Sequence, residues 1–410
     1  MRIIPVDQIE KGMILASHVY DINSRLLISK GERIKPEHIR ILKIWGIPEV
    51  KIVGAESNED HDDFLMDEEK IDQKKKNLQK LFQYVDLKHP AIKEIFRLSI
   101  KYRSATLNQI KDEEKAQPKN QEIKNLQNDT YLKIKNTQIK LPVTPMIVSE
   151  LNSIIDSPYS RADDIAMVVK KSPSLSALLL KIVNSAFYNF PEKIDSIPWA
   201  VTLIGTKEIV NLALGITVLE VFKDIPKTIV DMQSFMEHSF ACGVLSRILG
   251  AHKNIGQTEQ MFISGLLHDI GRLVTYKYFP GQSKKLLQLS SDLNQPLYQV
   301  ENEYAGIRHT HIAKYLLQEW KLPIGLLNNI FYHHNPSGAQ DPIKAGIVHI
   351  SDIIVLGLGF GSSGERFIPV FDEAVWDKLQ MTPNIFESVI QQTIHQLKFL
   401  SIFYQGESKL

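Results

Sequence analysis

At 410 residues, with 43% hydrophobic and 23% charged side chains, the chain exceeds one ordinary core and reads as a soluble globular protein of two or three domains. A net charge of +1 offers no global attraction to nucleic acid or an anionic membrane, and no uninterrupted apolar run is long enough for a membrane span. The single cysteine, Cys242, excludes a disulfide framework and a thiolate zinc site and fits a reducing cytoplasm, while the N-terminus lacks the apolar core of a signal peptide.

Residues 1–55 read as a small α+β domain. "HVYDINSRLLISKGERI" holds two strand-like runs around an Asn-Ser turn, with Gly31 ending the second. "KPEHIRILKIWG" has a proline near its start, apolar residues at Ile39, Leu42 and Trp45 and a closing Gly46, the marks of a short helix, and "EVKIV" follows as a strand. His18 and His38 take surface or structural roles. Residues 56–138 form a linker: the acidic run "ESNEDHDDFLMDEEK", helical spacing in "NLQKLFQYV" and "AIKEIFRLSIKYRSATL" around Pro90, and the polar stretch "KDEEKAQPKNQEIKNLQND". Such a spacer can transmit a conformational signal or dimerise.

From residue 139 to 410 the pattern is long amphipathic helices, and the expected fold is mainly α. "SRADDIAMVVKKSPSLSALLLKIVNSAFYN" breaks into two helices at Pro173, and "IPWAVTLIGTKEIVNLALGITVLEVF" is a pair turning at Gly205. Loops are expected at Gly281, at Asn294-Gln295-Pro296, from Asn335 to Gly338 and from Gly357 to Gly364.

Eight of the 13 histidines fall between His238 and His349. His238 begins one helix, His268 and Asp269 end a second in "FISGLLHDIGRL", and His309 opens a third. His333 and His334 close a fourth in "LLNNIFYHHNP", and Asp352 lies in a fifth. Each helix brings one or two ligand-type groups, so a bundle can converge them on one point. Imidazole with carboxylate suits iron, manganese, zinc or nickel, as one ion or two, and an aspartate beside a histidine can bridge a pair. The alternative, that His268 and Asp269 only hydrogen-bond neighbouring helix ends, stays open at this point. His252 in a loop, His311 projecting away from His309, and His349 as a packing residue receive no ligand role.

At these residues the chain resembles the HD superfamily of metal-dependent phosphohydrolases, and more closely the HDOD family, the HD-related output domain of bacterial signalling proteins. The phrases "LPVTP", "SPSLSALLLKIVNSAFYN", "IDSIPWAVTLIGTKEIVNLALG", "HTHIAKYLLQEWKLP", "YHHNP" and "HISDIIVLGLGFGSSGE" carry that resemblance across residues 141–404. The N-terminal unit resembles the small domain that precedes HD-GYP domains. The resemblance implies an all-helical HD-type bundle with His238, His268, Asp269, His309, His333, His334 and Asp352 as metal ligands. It also implies Asp269 and Arg272 as catalytic residues, Arg272 standing where HD-GYP proteins carry a lysine and contacting a phosphate. The chain departs from HD-GYP in having no Gly-Tyr-Pro after His334, and in carrying Ser234 where some trinuclear sites have an acidic ligand. Within the HDOD phrases, Ser172 replaces the usual aspartate before proline.

Two functions follow as expectations. The first is a cytoplasmic signal-transduction protein whose HDOD domain binds a signalling partner or a small nucleotide-like ligand, with a metal in a structural or sensory role. The second is a metal-dependent phosphohydrolase or cyclic-nucleotide phosphodiesterase, in which two metals would activate a water toward a phosphoester. Lys170–Lys171 and Lys284–Lys285 read as solvated faces, so nucleic acid is disfavoured, and a helical spacer is compatible with a homodimer.

Overall fold

The computed structural model describes residues 2–53, 68–103 and 141–400, apart from residues 7, 8, 21–25, 45, 46, 48, 158, 186, 187, 189 and 223. The Asn-Ser turn, Gly46 and most of the acidic and polar linker stretches lie outside the described residues.

The N-terminal unit contains β1 (Arg2–Pro5), β2 (Val19–Tyr20), β3 (Leu26–Ile28), α1 (Pro36–Ile44) and β4 (Glu49–Ile52). β1 pairs antiparallel with β4, Arg2 opposite Ile52, and β2 pairs antiparallel with β3. Ile4, Leu15, Ile28, Ile34, Leu42 and Val50 close a small core of its own.

Two helices from the segment read as a linker follow, α2 (Glu68–Leu81) and α3 (Pro90–Arg103). Their apolar faces are not solvated: Leu78, Phe82, Ile92, Ile95 and Leu98 enter the core of the helical bundle. The burial explains why the spacing there is helical and amphipathic rather than polar throughout.

The bundle then runs through α4 (Met146–Asp156), α5 (Ala162–Lys170), α6 (Pro173–Val183), α7 (Ile197–Ile204), α8 (Thr206–Glu220), α9 (Met232–His252), α10 (Thr258–Leu267), α11 (Ile270–Tyr278) and α12 (Pro280–Leu293). After these come α13 (Leu297–Val300), a π-helical turn at Glu301–Ala305, α14 (His309–Glu319), α15 (Ile324–Phe331), α16 (Pro342–Leu358), α17 (Glu373–Leu379) and α18 (Phe386–Leu400). No described helix is long and apolar enough to cross a membrane.

Local chemistry sets the boundaries. Ser172 caps α6 by accepting from the Leu175 amide at 3.2 Å, with Pro173 at the first helical position. Asp341 caps α16 in the same way, and Gly359 ends it in the left-handed region at φ 78°. Ser172 therefore does at this cap what the more usual aspartate would do. Gly281, expected in a loop, lies in the first turn of α12 behind Pro280, where the missing proline N–H costs nothing.

The interior is continuous. α16 is buried at every position from Ala345 to Leu358, and α9 at most positions after His238, so both are central helices without a polar face. Each fully buried leucine, isoleucine or phenylalanine there contributes roughly 1.5–3 kcal/mol. At the bundle's edge Trp320 donates its indole N–H to the Pro142 carbonyl at 3.0 Å, tying "LPVTP" to the end of α14. α3 packs on α16, and Arg103 donates to the Leu356 and Gly357 carbonyls at that helix's C-terminus.

Candidate metal centre

Five helices bring their polar residues to one interior point. His238 lies in the second turn of α9 rather than at its start, and His268 and Asp269 occupy the turn between α10 and α11. His309 is the first residue of α14, His333 and His334 follow α15, and Asp352 sits mid-way along α16. His238, His268, Asp269, His309, His333 and Asp352 are all buried.

Two glycines flanking "HD" permit the approach. A Cβ at Gly265 would lie 2.4 Å from the Cys242 carbonyl oxygen, and one at Gly271 would lie 2.0 Å from that of His309. The backbones of α10 and α9, and of α11 and α14, meet there with no room for any side chain.

Three of the imidazoles are held in one orientation. His268 Nδ1 donates to the Gly265 carbonyl at 2.7 Å, and His333 Nδ1 to the Ile330 carbonyl at 2.7 Å. A carbonyl can only accept, so each Nδ1 carries hydrogen and each Nε2 is turned inward. For His309 the partner is a carboxylate: Glu301 Oε2 accepts from Nδ1 at 2.6 Å and from the His309 amide at 3.0 Å. Fixing one ring nitrogen so that the other faces a common centre is how proteins prepare histidine ligands.

The inward atoms form two groups about Asp269. On one side His238 Nε2 lies 3.3 Å from His268 Nε2 and 3.4 Å from Asp352 Oδ1, with His268 Nε2 3.6 Å from Asp352 Oδ1. On the other, His309, His333 and His334 offer ring nitrogens within 4.8 Å of one another. Asp269 divides its oxygens between them, Oδ2 3.4 Å from His268 Nε2 and Oδ1 3.1 Å from His309 Nε2. That Oδ1 has no hydrogen-bond partner despite its burial, and neither do the two ring nitrogens of His334. His334 is half-buried and stacks on the Tyr298 ring, centroids 4.4 Å apart.

Charge argues in the same direction as geometry. Burial works to raise the Asp269 carboxyl, but Arg272, His268 and His309 outweigh it and hold it well below the usual carboxylate range. For Asp352, hydrogen bonds with His238 and His268 likewise overcome burial. Burial opposes charge on His268, yet Asp269 and Asp352 push it up to about 10. Burial, then the neighbouring imidazoles, push His333 and His334 well down, leaving them neutral donors. Three buried carboxylates, Asp269, Glu301 and Glu365, face one buried guanidinium, Arg272, while a fourth, Asp352, faces His238 and His268. Ionised Asp269 and Asp352 set among inward-facing imidazole nitrogens fit a divalent cation held by imidazole and carboxylate.

Arg272 does not stand where a phosphate could reach it. Only 1% exposed, it donates from Nη1 to Asp269 Oδ2 at 3.1 Å and Ser363 Oγ at 2.8 Å, from Nε to Glu301 Oε1 at 3.2 Å, and from Nη2 to Glu365 Oε2 at 3.2 Å. In this geometry it contacts Asp269 and two further carboxylates. Glu301, Ser363 and Glu365 were not singled out by the sequence. Glu301 is placed by the π-helical turn, where helical periodicity gives no guide, and the other two sit in the loop after α16. Cys242, set aside as lacking partners, lies one turn after His238 with Sγ 3.8 Å from its Nε2.

The histidines given no ligand role are accounted for individually. His349 donates from Nδ1 to the His333 carbonyl at 2.8 Å and accepts from the Asp372 amide at 3.2 Å. It fixes the backbone beside His333 without facing the centre. His311 packs edge-on against Phe331, and His252 ends α9 rather than lying in a loop.

Residues 141–336 match the family model described as the HDOD domain. An uncharacterized protein of Treponema pallidum (strain Nichols) is 27% identical over 230 residues, 55% of this chain and 44% of that protein. The match thus spans less than half the length of that curated relative. Among solved structures, an HDOD domain protein of unknown function from Geobacter sulfurreducens is 18% identical with a TM-score of 0.51, covering 63% of this chain and 93% of its own. A protein from Marinobacter aquaeolei VT8, provisionally assigned to signal transduction, is 21% identical with a TM-score of 0.53, covering 70% of this chain and 66% of its own. These two share the fold of the bundle. Asp352, Ser363 and Glu365 lie beyond the matched span.

Proposed function

We propose, from the match of residues 141–336 to the HDOD domain, that the chain is a signal-transduction protein whose bundle holds a divalent transition metal and engages a signalling partner or small nucleotide-like ligand. The observation that carries the metal is the clamping of His268, His309 and His333 at Nδ1, while the Nε2 atoms of His268 and His309 face Asp352 and Asp269 and that of His333 lies 3.5 Å from His309 Nε2. His238, His268 and Asp352 would hold one ion, His309, His333 and His334 a second, and Asp269 stands between them. A bound ion would neutralise the enclosed carboxylates and tie five helices together at one point.

The regulatory reading is supported by what surrounds the donors. The nearest guanidinium is spent on three carboxylates, leaving it no free face for a phosphoester. The linker helix α3 is docked on α16, which carries Asp352, and so offers a mechanical route between the metal centre and the rest of the chain. The phosphohydrolase reading keeps one observation in its favour, the division of Asp269's oxygens between two donor groups, as in bridged two-metal centres, where the ions supply Lewis acidity.

Purified full-length protein, with and without zinc or manganese, separates the two. The regulatory reading expects metal at a hundred times its dissociation constant to raise stability by about 2.7 kcal/mol, with no hydrolysis of cyclic dinucleotides or bis(p-nitrophenyl) phosphate above buffer. Multiple turnovers that vanish in a folded His268→Ala variant would replace it with the enzyme.

A further inference from the structure

Cys242 is the chain's single cysteine, and a buried thiol in a helix is most often a small apolar filler. Its surroundings here are not apolar. It follows His238 by four residues on α9, so both side chains project from the same helical face. Its Sγ, His238 Nε2, His268 Nε2 and one Asp352 oxygen all lie within 4.8 Å of one another, and all four residues are buried.

The spacing within this group is informative. Nitrogen and oxygen ligands at about 2.0–2.2 Å and sulfur at about 2.3 Å, disposed tetrahedrally about zinc, stand roughly 3.3–3.6 Å apart. An octahedral shell of nitrogen and oxygen at the same bond lengths would bring neighbouring donors to about 3.0 Å. The distances found are 3.3 Å between the two imidazole nitrogens, 3.4 and 3.6 Å from these to Asp352, and 3.8 Å from His238 to the sulfur. The three edges between nitrogen and oxygen fall in the tetrahedral range, and the one from His238 to the sulfur lies just beyond it.

We infer that Cys242 is a metal ligand, its thiolate joining His238, His268 and Asp352 about a zinc-like ion. The inference rests on the metal-binding reading above. Binding displaces the thiol proton to solvent and leaves a sulfur–metal bond. The two halves of the centre are then chemically different. The Cys242 half is buried throughout and holds a soft donor, whereas the half built from His309, His333 and His334 has no sulfur and reaches partly exposed His334.

Cobalt(II) is the probe, because sulfur ligation gives it a near-ultraviolet charge-transfer band that nitrogen and oxygen ligands do not. Full-length wild type and Cys242→Ser are titrated with cobalt, bound metal is measured by elemental analysis, and folding is followed by circular dichroism. The expected result is the band in wild type, its absence in Cys242→Ser, and cobalt binding at least about tenfold weaker in the variant. Wild type that binds cobalt without the band overturns the ligand role and leaves the metal centre standing. Wild type that binds no cobalt overturns both. The wild-type spectrum decides even if the variant fails to fold, and X-ray absorption of the zinc form should then show sulfur at about 2.3 Å.

Discussion

Glu301→Gln is the sharpest perturbation of the centre that removes no proposed ligand. The carboxylate accepts from the His309 amide at 3.0 Å and His309 Nδ1 at 2.6 Å through one oxygen, and from Arg272 Nε at 3.2 Å through the other. Every one of its partners is a donor. A glutamine of the same size must therefore turn its NH2 toward either His309 or Arg272, losing at least one charge-assisted bond worth about 1.5–3 kcal/mol. The same change removes one of the three carboxylates that balance Arg272, so the expected loss of stability in the ion-free protein is about 2–4 kcal/mol. His309 loses the partner that orients it, and metal affinity should fall by roughly 10–100-fold. Urea unfolding of the ion-free protein and competition against a chromophoric chelator read the two effects separately. Stability within about 0.5 kcal/mol of wild type would refute the reasoning, since that is the range of a surface substitution.

Arg272→Met strands Asp269, Glu301 and Glu365 without their cation, and should cost more than about 3–5 kcal/mol in denaturant unfolding. A solvent-facing phosphate contact would cost almost nothing there. Gly271→Ala sets a methyl group 2.0 Å from the His309 carbonyl oxygen and should destabilise the fold by about 3 kcal/mol, the upper part of the overpacking range, with a thermal melt as the check. His268, raised to about 10 in the ion-free protein from about 6.5 unfolded, contributes stability that is present below pH 6.5 and lost as pH rises through 10. Metal must displace that proton, so apparent affinity should rise at least about tenfold per pH unit between pH 7 and 9. Calorimetry in buffers of different ionisation enthalpy measures the protons released, and affinity independent of pH would contradict the assignment.

The convergence of five helices was legible in the sequence because each ligand-type residue stands at a helix end or on a regular helical face. "LLHDIG" sets an acid beside an imidazole, whereas the close approach of backbones at its flanking glycines emerges only in the fold. What the sequence hides depends on irregular backbone. Glu301 reaches His309 through a π-helical turn followed by Gly306 in the left-handed region, and no period predicts that return. Glu365 is anchored in a loop by the amides of Leu297, Arg366 and Phe367, contacts visible only once the chain has folded back. The surroundings of Arg272 are hidden for a different reason. Its position after "HD" was clear, but whether a guanidinium faces solvent or three carboxylates is a tertiary fact. Cys242 was set aside because a cysteine count treats thiols as partners of one another and overlooks a histidine one helical turn away.

The central claim is that this buried cluster holds metal. Elemental analysis of purified wild type, grown in medium supplemented with zinc, manganese and iron, tests it directly beside a His268→Ala, His309→Ala double variant of matching circular dichroism. The account predicts at least one equivalent of transition metal per chain in wild type and a loss of most of it in the variant. Wild type that is folded and carries only trace metal, or a variant that retains the full amount, would contradict it.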